Sequence, residues 1–378
     1  MNIQMVDTIT QYKHIQAEVD TAVQAVMASG AYINGPAVKQ FQQNLASWLE
    51  VPHVIPCANG TDALQVALMA LGLEPGDEVI TPTFTYIATV EVIALLRLRP
   101  VFVEVLPDTF NMDPAAIEAV ITPRTKAIMP VHLFGQTADM GPILDIARRH
   151  GLYVVEDTAQ AIGADWIAPD GSRLKAGTIG DIGTTSFYPS KNLGAYGDGG
   201  AIFTRNPELA QTLWIICNHG AKVKYYHDSI GVNSRLDSMQ AAILDVKLRH
   251  LDAYTEARRE AARRYGQLLA GTPGIALPVW QDNGSHVFHQ YTLRIEGGAE
   301  RRDAVQRKLA ERGVPSMIYY PVPIHLQGGY RQYGYQAGDF PLSEQLAQEV
   351  LSLPMHSELD EAQQAYIAQQ LRDILTTL

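Results

Sequence analysis

From about residue 51 to residue 204, short apolar runs alternate with amphipathic stretches. That alternation predicts a mostly parallel sheet covered by helices on both faces. The runs HVIPC, EVITP, PVFVEV, KAIMPV, LYVVE, TTSFY and AIFT read as strands. Residues 62–71 (DALQVALMAL), 86–96 and 139–150 read as helices between them, the last closed by Gly151. Asp113-Pro114 reads as the start of a further helix, because aspartate caps an N-terminus and proline suits the first helical position. Ahead of this region lie predicted helices at 15–27 and 38–49, separated by the turn Asn34-Gly35-Pro36. After Gly163 the alternation lapses, and Pro169-Asp170-Gly171-Ser172 predicts a hairpin-like excursion over 166–177. Helices are predicted at 207–217 and, as one long element, at 235–251.

Beyond residue 252 the pattern is of another kind. A charged helix at 256–269, a Thr272-Pro273-Gly274 turn, the alternating run VFHQYTLRI and a helix at 301–312 capped by Gly313 lead to the loop YYPVPIHLQGGY. Two helices finish the chain. This predicts an α/β architecture with a smaller α+β unit at the C-terminus. The division is residues 1–20 as an arm packing on the small unit, 21–250 as the large domain and 251–378 as the small one.

Composition narrows the function classes. With 378 residues and 47% apolar content, the chain can bury a large core and does not read as disordered. The net charge of −11 and the lack of a dense Lys/Arg run argue against nucleic acid as a partner. Two cysteines, Cys57 and Cys217, make neither a disulfide framework nor a zinc site, and no metal is expected. The start of the sequence lacks a basic-then-apolar signal pattern. The most apolar run, 90–105, is interrupted by Arg97, Arg99 and Glu104, so no membrane span is read. The simplest address is the cytoplasm.

Candidate chemistry centres on Lys191, the one lysine in an otherwise uncharged segment running from Thr184 to Asp198, with Gly194, Gly197, Gly199 and Gly200 after it. An uncharged setting favours a neutral amine, which a lysine needs to form a Schiff base. A surface lysine beside a glycine turn is the plainer reading. Asn59-Gly60-Thr61 falls between a strand and an apolar helix, where backbone N–H groups attract phosphate; a simple helix cap is the alternative. Neither GxGxxG nor a Walker motif is present, which argues against a dinucleotide-dependent dehydrogenase. Asp157 ends a parallel strand, where open α/β sheets bind ligands, and Gln160 follows it; Asp157 could equally cap the next segment. Ser186 could join Thr61 in holding a phosphate, or be structural. Tyr86 could cover a planar ring, or be core. Asn233 and Arg235 precede a helix and suit either capping or anion binding. A lysine, a phosphate turn, a carboxylate and an aromatic ring together describe a site for pyridoxal 5′-phosphate (PLP).

The blocks CANGTDALQVAL, PTFTYIATVE, VVEDTAQAIGA, SFYPSKNLGAYGDGGAIFT and GVNSRLDSMQAAIL, in this order, resemble the DegT/DnrJ/EryC1/StrS aminotransferases. The resemblance implies a fold-type I PLP-dependent transferase whose large domain carries a mostly parallel seven-stranded sheet. It implies that Lys191 holds the cofactor as a Schiff base and moves the proton. Asp157 would pair with the pyridine nitrogen and Gln160 with the ring hydroxyl. Gly60, Thr61 and Ser186 would hold the phosphate, Asn233 would reach it from a second subunit, and Tyr86 would stack on the ring. A homodimer with shared sites follows. Arg235, Tyr319, Tyr320 and His325 would face a nucleotide-linked keto sugar, with L-glutamate as amino donor.

Within the family the blocks look most like enzymes aminating carbon-3 of UDP-2-acetamido-2-deoxy-3-keto-glucuronic acid, for surface polysaccharide or glycan assembly. A dTDP-3-keto-6-deoxyhexose 3-aminotransferase is the alternative, and carbon-4 amination a third. Lysine at 191, where the family's dehydratases have histidine, favours transamination. A PLP-binding regulator without turnover is the rival of another class.

Overall fold

The computed structural model describes residues 3–281 and 284–378. Met1 and Asn2, the first residues of the expected arm, lie outside the described residues. Helix α1 (Thr8–Ser29) is capped by the Asp7 side chain and ends at Gly30 in the left-handed conformation. It runs unbroken past residue 20. Helix α2 (Pro36–Leu49) follows the Asn34-Gly35 turn.

The layered region then unfolds as β1 (His53–Cys57), α3 (Gly60–Ala70), β2 (Glu78–Pro82), α4 (Ala88–Leu95), β3 (Arg99–Val103), β4 (Thr125–Ile128), α5 (Met140–His150) and β5 (Tyr153–Asp157). The excursion is a short hairpin, β6 (Asp165–Ile167) and β7 (Arg173–Lys175), as its turn sequence predicts. Strands β8 (Ile182–Ser186) and β9 (Gly200–Thr204) and helix α6 (Pro207–Cys217) come next. A small hairpin, β10 (Ala221–Val223) and β11 (Tyr226–His227), leads to α7 (Ser238–Leu248).

The central sheet has seven strands in the order β1-β9-β8-β5-β4-β2-β3. Neighbours from β8 to β3 run parallel, whereas β9 is antiparallel to both β8 and β1. One face is packed by α3, α4 and α6 through Leu64, Val66, Leu68, Val92, Ile93, Leu213 and Ile216. Another apolar cluster joins Ile80, Val101, Ile128 and Val154 to Met140 and Ile143 of α5. Burial on both faces explains why these strands read as continuous apolar runs rather than alternating ones.

The remaining elements are α8 (Leu251–Leu269), β12 (Ile275–Ala276), β13 (Tyr291–Ile295), α9 (Gly298–Glu311), α10 (Pro341–Glu349), β14 (Val350–Leu353) and α11 (Glu361–Leu375). Strands β12, β13 and β14 form an antiparallel sheet. Tyr265, Leu293, Val305, Leu351 and Ile367 gather in one core there, and Ile3 joins it. His14 also reaches Glu358 at 2.9 Å. We propose the break between α7 and α8, at Arg249 and His250, as the division between the two units.

Two expectations are corrected, and one strand is added. The stretch after Asp113 is not an α-helix but two 3₁₀ turns, Pro114–Ala116 and Glu118–Val120. Asp113 does cap it, accepting from the Ala115 N–H at 2.9 Å, but Pro123 follows too soon for a longer helix, since a residue before proline avoids the α region. The helix expected at 235–251 begins at Ser238, which leaves Arg235 in the preceding loop. The C-terminal helices are separated by β14, whose apolar run VLSL is fully buried.

Candidate active site

A cavity of about 520 Å³ opens where β5 and β8 end and α3 and α4 begin. Asn59, Gly60, Thr61, Tyr86, Asp157, Gln160, Ser186, Lys191, Tyr319 and Tyr320 all line it. Residues far apart in the sequence thus meet at the carboxyl edge of the parallel strands, the edge where such sheets bind ligands.

Asn59 is the N-cap of α3, its side chain accepting from the Asp62 N–H at 2.8 Å. The first N–H groups of a helix lack intrahelical partners, so Gly60 and Thr61 present donors and the positive end of the helix dipole to an anion. Gly60 is required by packing: a Cβ there would lie 2.6 Å from Ser186 Cβ and 3.2 Å from its Oγ. Gly60→Ala is therefore expected to force α3 and Ser186 apart, costing about 1–3 kcal/mol of stability and weakening phosphate retention. Thermal melts with and without PLP check it: the variant should melt lower and gain less from the cofactor.

Lys191 sits in the loop joining β8 to β9. The loop's ends are paired Ser186 to Gly200. Inside it, the Phe187 N–H donates to Gly199 O and the Ala195 N–H to Phe187 O, each at 2.7 Å, and the Lys191 N–H to Tyr188 O at 2.8 Å. Buried Lys247 of α7 donates from Nζ to Gly194 O at 2.5 Å and lies over the Tyr196 ring. Burial lowers the Lys191 amine to about 8, against the opposing pull of the Asp157 charge. The nearby imidazole of His289 is itself held neutral by burial, then by the Lys191 and Arg258 charges.

Asp157 is 5% exposed. Its backbone is fixed by the adjacent loop, its N–H donating to Pro130 O and its carbonyl accepting from the His132 N–H, both at 3.0 Å. The preceding Glu156 is fully buried and takes four donors: His132 Nε2 at 2.9 Å and the N–H groups of Gly177, Ile179 and Gly180 at 2.7–2.9 Å. His132 Nδ1 accepts from the Ala138 N–H at 3.0 Å, which puts its proton on Nε2, facing Glu156. Gln160 Oε1 accepts from the Phe134 N–H at 2.8 Å, and its Nε2 donates to the Tyr320 hydroxyl at 3.0 Å. Tyr86 is half exposed at the start of α4, its ring 6.0 Å from that of Tyr320.

The other candidates lie elsewhere in this single chain. Asn233 is exposed and bridges to Asn218. Arg235 follows Ser234, whose hydroxyl accepts from the Ala58 N–H at 3.1 Å beside the phosphate turn. Neither Asn233 nor Arg235 lines the cavity. His325 is buried, with Nδ1 2.8 Å from Thr83 Oγ1 and Nε2 3.1 Å from Glu344; it ties its loop to the end of β2. Residues that the sequence reading passed over include His289 and Gln290 in the cavity wall and Thr89 against Asp157. His289 follows a buried phenylalanine in an alternating run and reads as a core position. Its Nδ1 is buried with no protein partner.

A phosphate-sized turn at a helix start, a buried carboxylate, a desolvated lysine and an exposed ring on one cavity define the class of the protein as a fold-type I, PLP-dependent enzyme. The residues fit that cofactor: the cradle at Gly60 is one that a Cβ would fill, and the donor set is complementary to phosphate, ring nitrogen and aldehyde. Comparison with known proteins agrees. The profile of the DegT/DnrJ/EryC1/StrS aminotransferase family matches residues 13–372, and the chain belongs to that family. Its cofactor is PLP. The chain is 48% identical to a pleiotropic regulatory protein of Geobacillus stearothermophilus, covering 99% of this chain and 98% of the relative. It is 46% identical to a UDP-N-acetyl-3-dehydro-α-D-glucosamine 3-aminotransferase of Acidithiobacillus ferrooxidans (99% and 98%). It is 44% identical to a UDP-2-acetamido-2-deoxy-3-oxo-D-glucuronate aminotransferase of Pseudomonas aeruginosa (95% and 97%). The structure of DesV from S. venezuelae with a ketimine intermediate superposes with a TM-score of 0.94 at 42% identity, covering 99% of this chain and 98% of that one. Among the described residues no helix is long and apolar enough to cross a membrane, and no acidic, histidine or cysteine group is arranged for a metal.

Proposed function

We propose that this protein transfers an amino group from L-glutamate to carbon-3 of a UDP-linked 2-acetamido-3-keto sugar, with the glucuronic acid form as the first choice. The observation that carries the reading is the meeting of Lys191, Asp157, Ser186 and the Gly60-Thr61 turn on one cavity. The names of the relatives from P. aeruginosa and A. ferrooxidans, an aminotransferase of a UDP-linked 3-oxo sugar and a 3-aminotransferase of a UDP-linked 3-dehydro sugar, support the substrate class.

When bound, PLP supplies an aldehyde for imine formation and a ring that takes up the charge of the deprotonated donor. The chain's residues do the rest. Gly60, Thr61 and Ser186 hold the phosphate. Tyr86 covers the ring, and Gln160 holds the ring hydroxyl. The Asp157 carboxylate accepts from the protonated ring nitrogen and keeps that proton in place. Lys191 Nζ would take the Cα proton of glutamate in the first half-reaction and would deliver a proton to carbon-3 of the sugar in the second. Ping-pong kinetics follow, with 2-oxoglutarate released before the sugar reacts. In this reading the active unit is a homodimer in which Asn233 and Arg235 of each copy complete the other's site, Tyr319 and Tyr320 shape the sugar side, and buried His325 holds the loop behind them.

A second reading, an uncharged keto sugar such as a dTDP-3-keto-6-deoxyhexose, is favoured by one observation. Among the described lining residues Lys191 is the one lysine or arginine, so a uronic acid carboxylate depends on Arg235 arriving from a second copy. The test is an amination assay with UDP-3-keto-2-acetamido-glucuronate, its uncharged glucosamine counterpart and a dTDP-3-keto-6-deoxyhexose, each generated in situ. Turnover of the UDP sugars above the dTDP sugar is expected, with the uronate preferred. Turnover of the dTDP sugar alone, or amination only at carbon-4, overturns the proposal.

A further inference from the structure

The Asp157 carboxylate is held from two sides. Oδ1 accepts from the Ala159 N–H at 3.1 Å, and Oδ2 accepts from the Thr89 hydroxyl at 2.8 Å. Thr89 is fully buried. Its Oγ1 lies 3.3 Å from Thr85 Oγ1, a pair in which either hydroxyl could donate. The carboxylate decides the direction. An ionised aspartate only accepts, so the single Thr89 proton goes to Oδ2 and the Thr89 oxygen accepts from Thr85. The chain therefore runs Thr85 to Thr89 to Asp157 and ends on a charged acceptor, which makes its last link the strong one. Thr89 also lies in the first turn of α4, where its N–H donates to Tyr86 O at 3.3 Å. The turn that presents the Tyr86 ring to the cavity is thus the one that grips the carboxylate.

We propose that Thr89 is a positioning residue for the cofactor ring, acting through Asp157, with Thr85 orienting Thr89. The hydroxyl stops the carboxylate from rotating about its terminal bond. Because Tyr86 and Thr89 are joined by the hydrogen-bonded turn that opens α4, the height of the stacking ring and the direction of the carboxylate are set together. A cofactor seated there meets both at once. Thr89 touches neither substrate nor reacting atoms in this scheme.

The proposal rests on Asp157 serving the ring nitrogen, so its test carries an Asp157→Asn control. Thr89→Val keeps the shape and removes the hydroxyl; Thr89→Ser keeps the hydroxyl. For each holoenzyme the PLP dissociation constant, the rate of the glutamate half-reaction and the KM for the keto sugar are measured. For Thr89→Val the dissociation constant should rise and the half-reaction rate fall, each about tenfold, with the sugar KM within about twofold. Thr89→Ser should restore both. Unchanged values in Thr89→Val while Asp157→Asn is impaired overturn the proposal. So does a Thr89→Ser variant as defective as Thr89→Val, since packing alone would then explain the loss. Wild-type behaviour in Asp157→Asn instead overturns the role of Asp157 and removes the basis of the proposal. If Thr89→Val does not fold, Thr89→Ala against Thr89→Ser decides on the same readouts.

Discussion

Lys191→Ala is expected to abolish transamination, lowering turnover by about 10⁴-fold or more, while the chain still folds. The fold should survive because the amine is a desolvated group whose burial opposes its charge. The loop is held by backbone bonds and by the side chains of Asn192, Gln240 and Lys247, with the Lys191 backbone N–H and not its amine taking part. The variant should bind PLP without forming an imine, so the visible band of the wild-type cofactor is lost. Circular dichroism and the absorption spectrum separate the two effects. Near-normal transamination would remove Lys191 from its role. The wild-type amine also carries a pH signature. Its value is lowered to about 8 from the usual 10.5, so at neutral pH the neutral fraction is about 300-fold that of an exposed lysine. Capture of PLP by apoenzyme should accelerate as pH rises through about 8 and level off above it.

Asp157→Asn is the second large effect. The amide keeps the size of the carboxylate but removes its charge, and its Nδ2 brings a donor to a place where Thr89 or Ala159 already donates. In the role proposed for Asp157, a protonated ring nitrogen would then lose its counter-charge, and its proton would be held less firmly. The glutamate half-reaction should slow by about 10²–10³-fold, with less change in PLP content. Stopped-flow absorbance after adding glutamate measures it. A rate within a few-fold of wild type would show that Asp157 serves the fold and not the ring.

The strands of the central sheet were legible because burial on both faces leaves a mark that does not depend on tertiary detail. That Lys191, Asp157 and the Gly60-Thr61 turn meet at one cavity was legible for a related reason: Asp157 ends a strand, Gly60 opens a helix and Lys191 lies in the loop after β8, where local sequence already says that the chain turns. Other features were hidden. Thr89 looks like a small filler in an apolar helix, because its partner Asp157 is 68 residues away. Glu156 reads as the last residue of a strand, and only the fold shows its carboxylate collecting three backbone N–H groups from the turn at 177–180. His325 carries a ring suited to a substrate, yet its two nitrogens face Thr83 and Glu344 within the chain. Strand β14 between the last two helices was not read, because a short buried apolar run has no period of its own.

The antiparallel turn-back of β9 has a bearing on how the family diversifies. Because Ser186 and Gly200 pair directly, the lysine loop is a closed insert whose two ends meet on neighbouring strands. Its interior is stapled to itself and, at Gly194, to α7. A change of side chain at position 191 therefore leaves every strand with its partners. With Lys191 in the role proposed for it, the reacting group is an exchangeable cartridge in a fixed socket, and a substitution there does not put the sheet at risk.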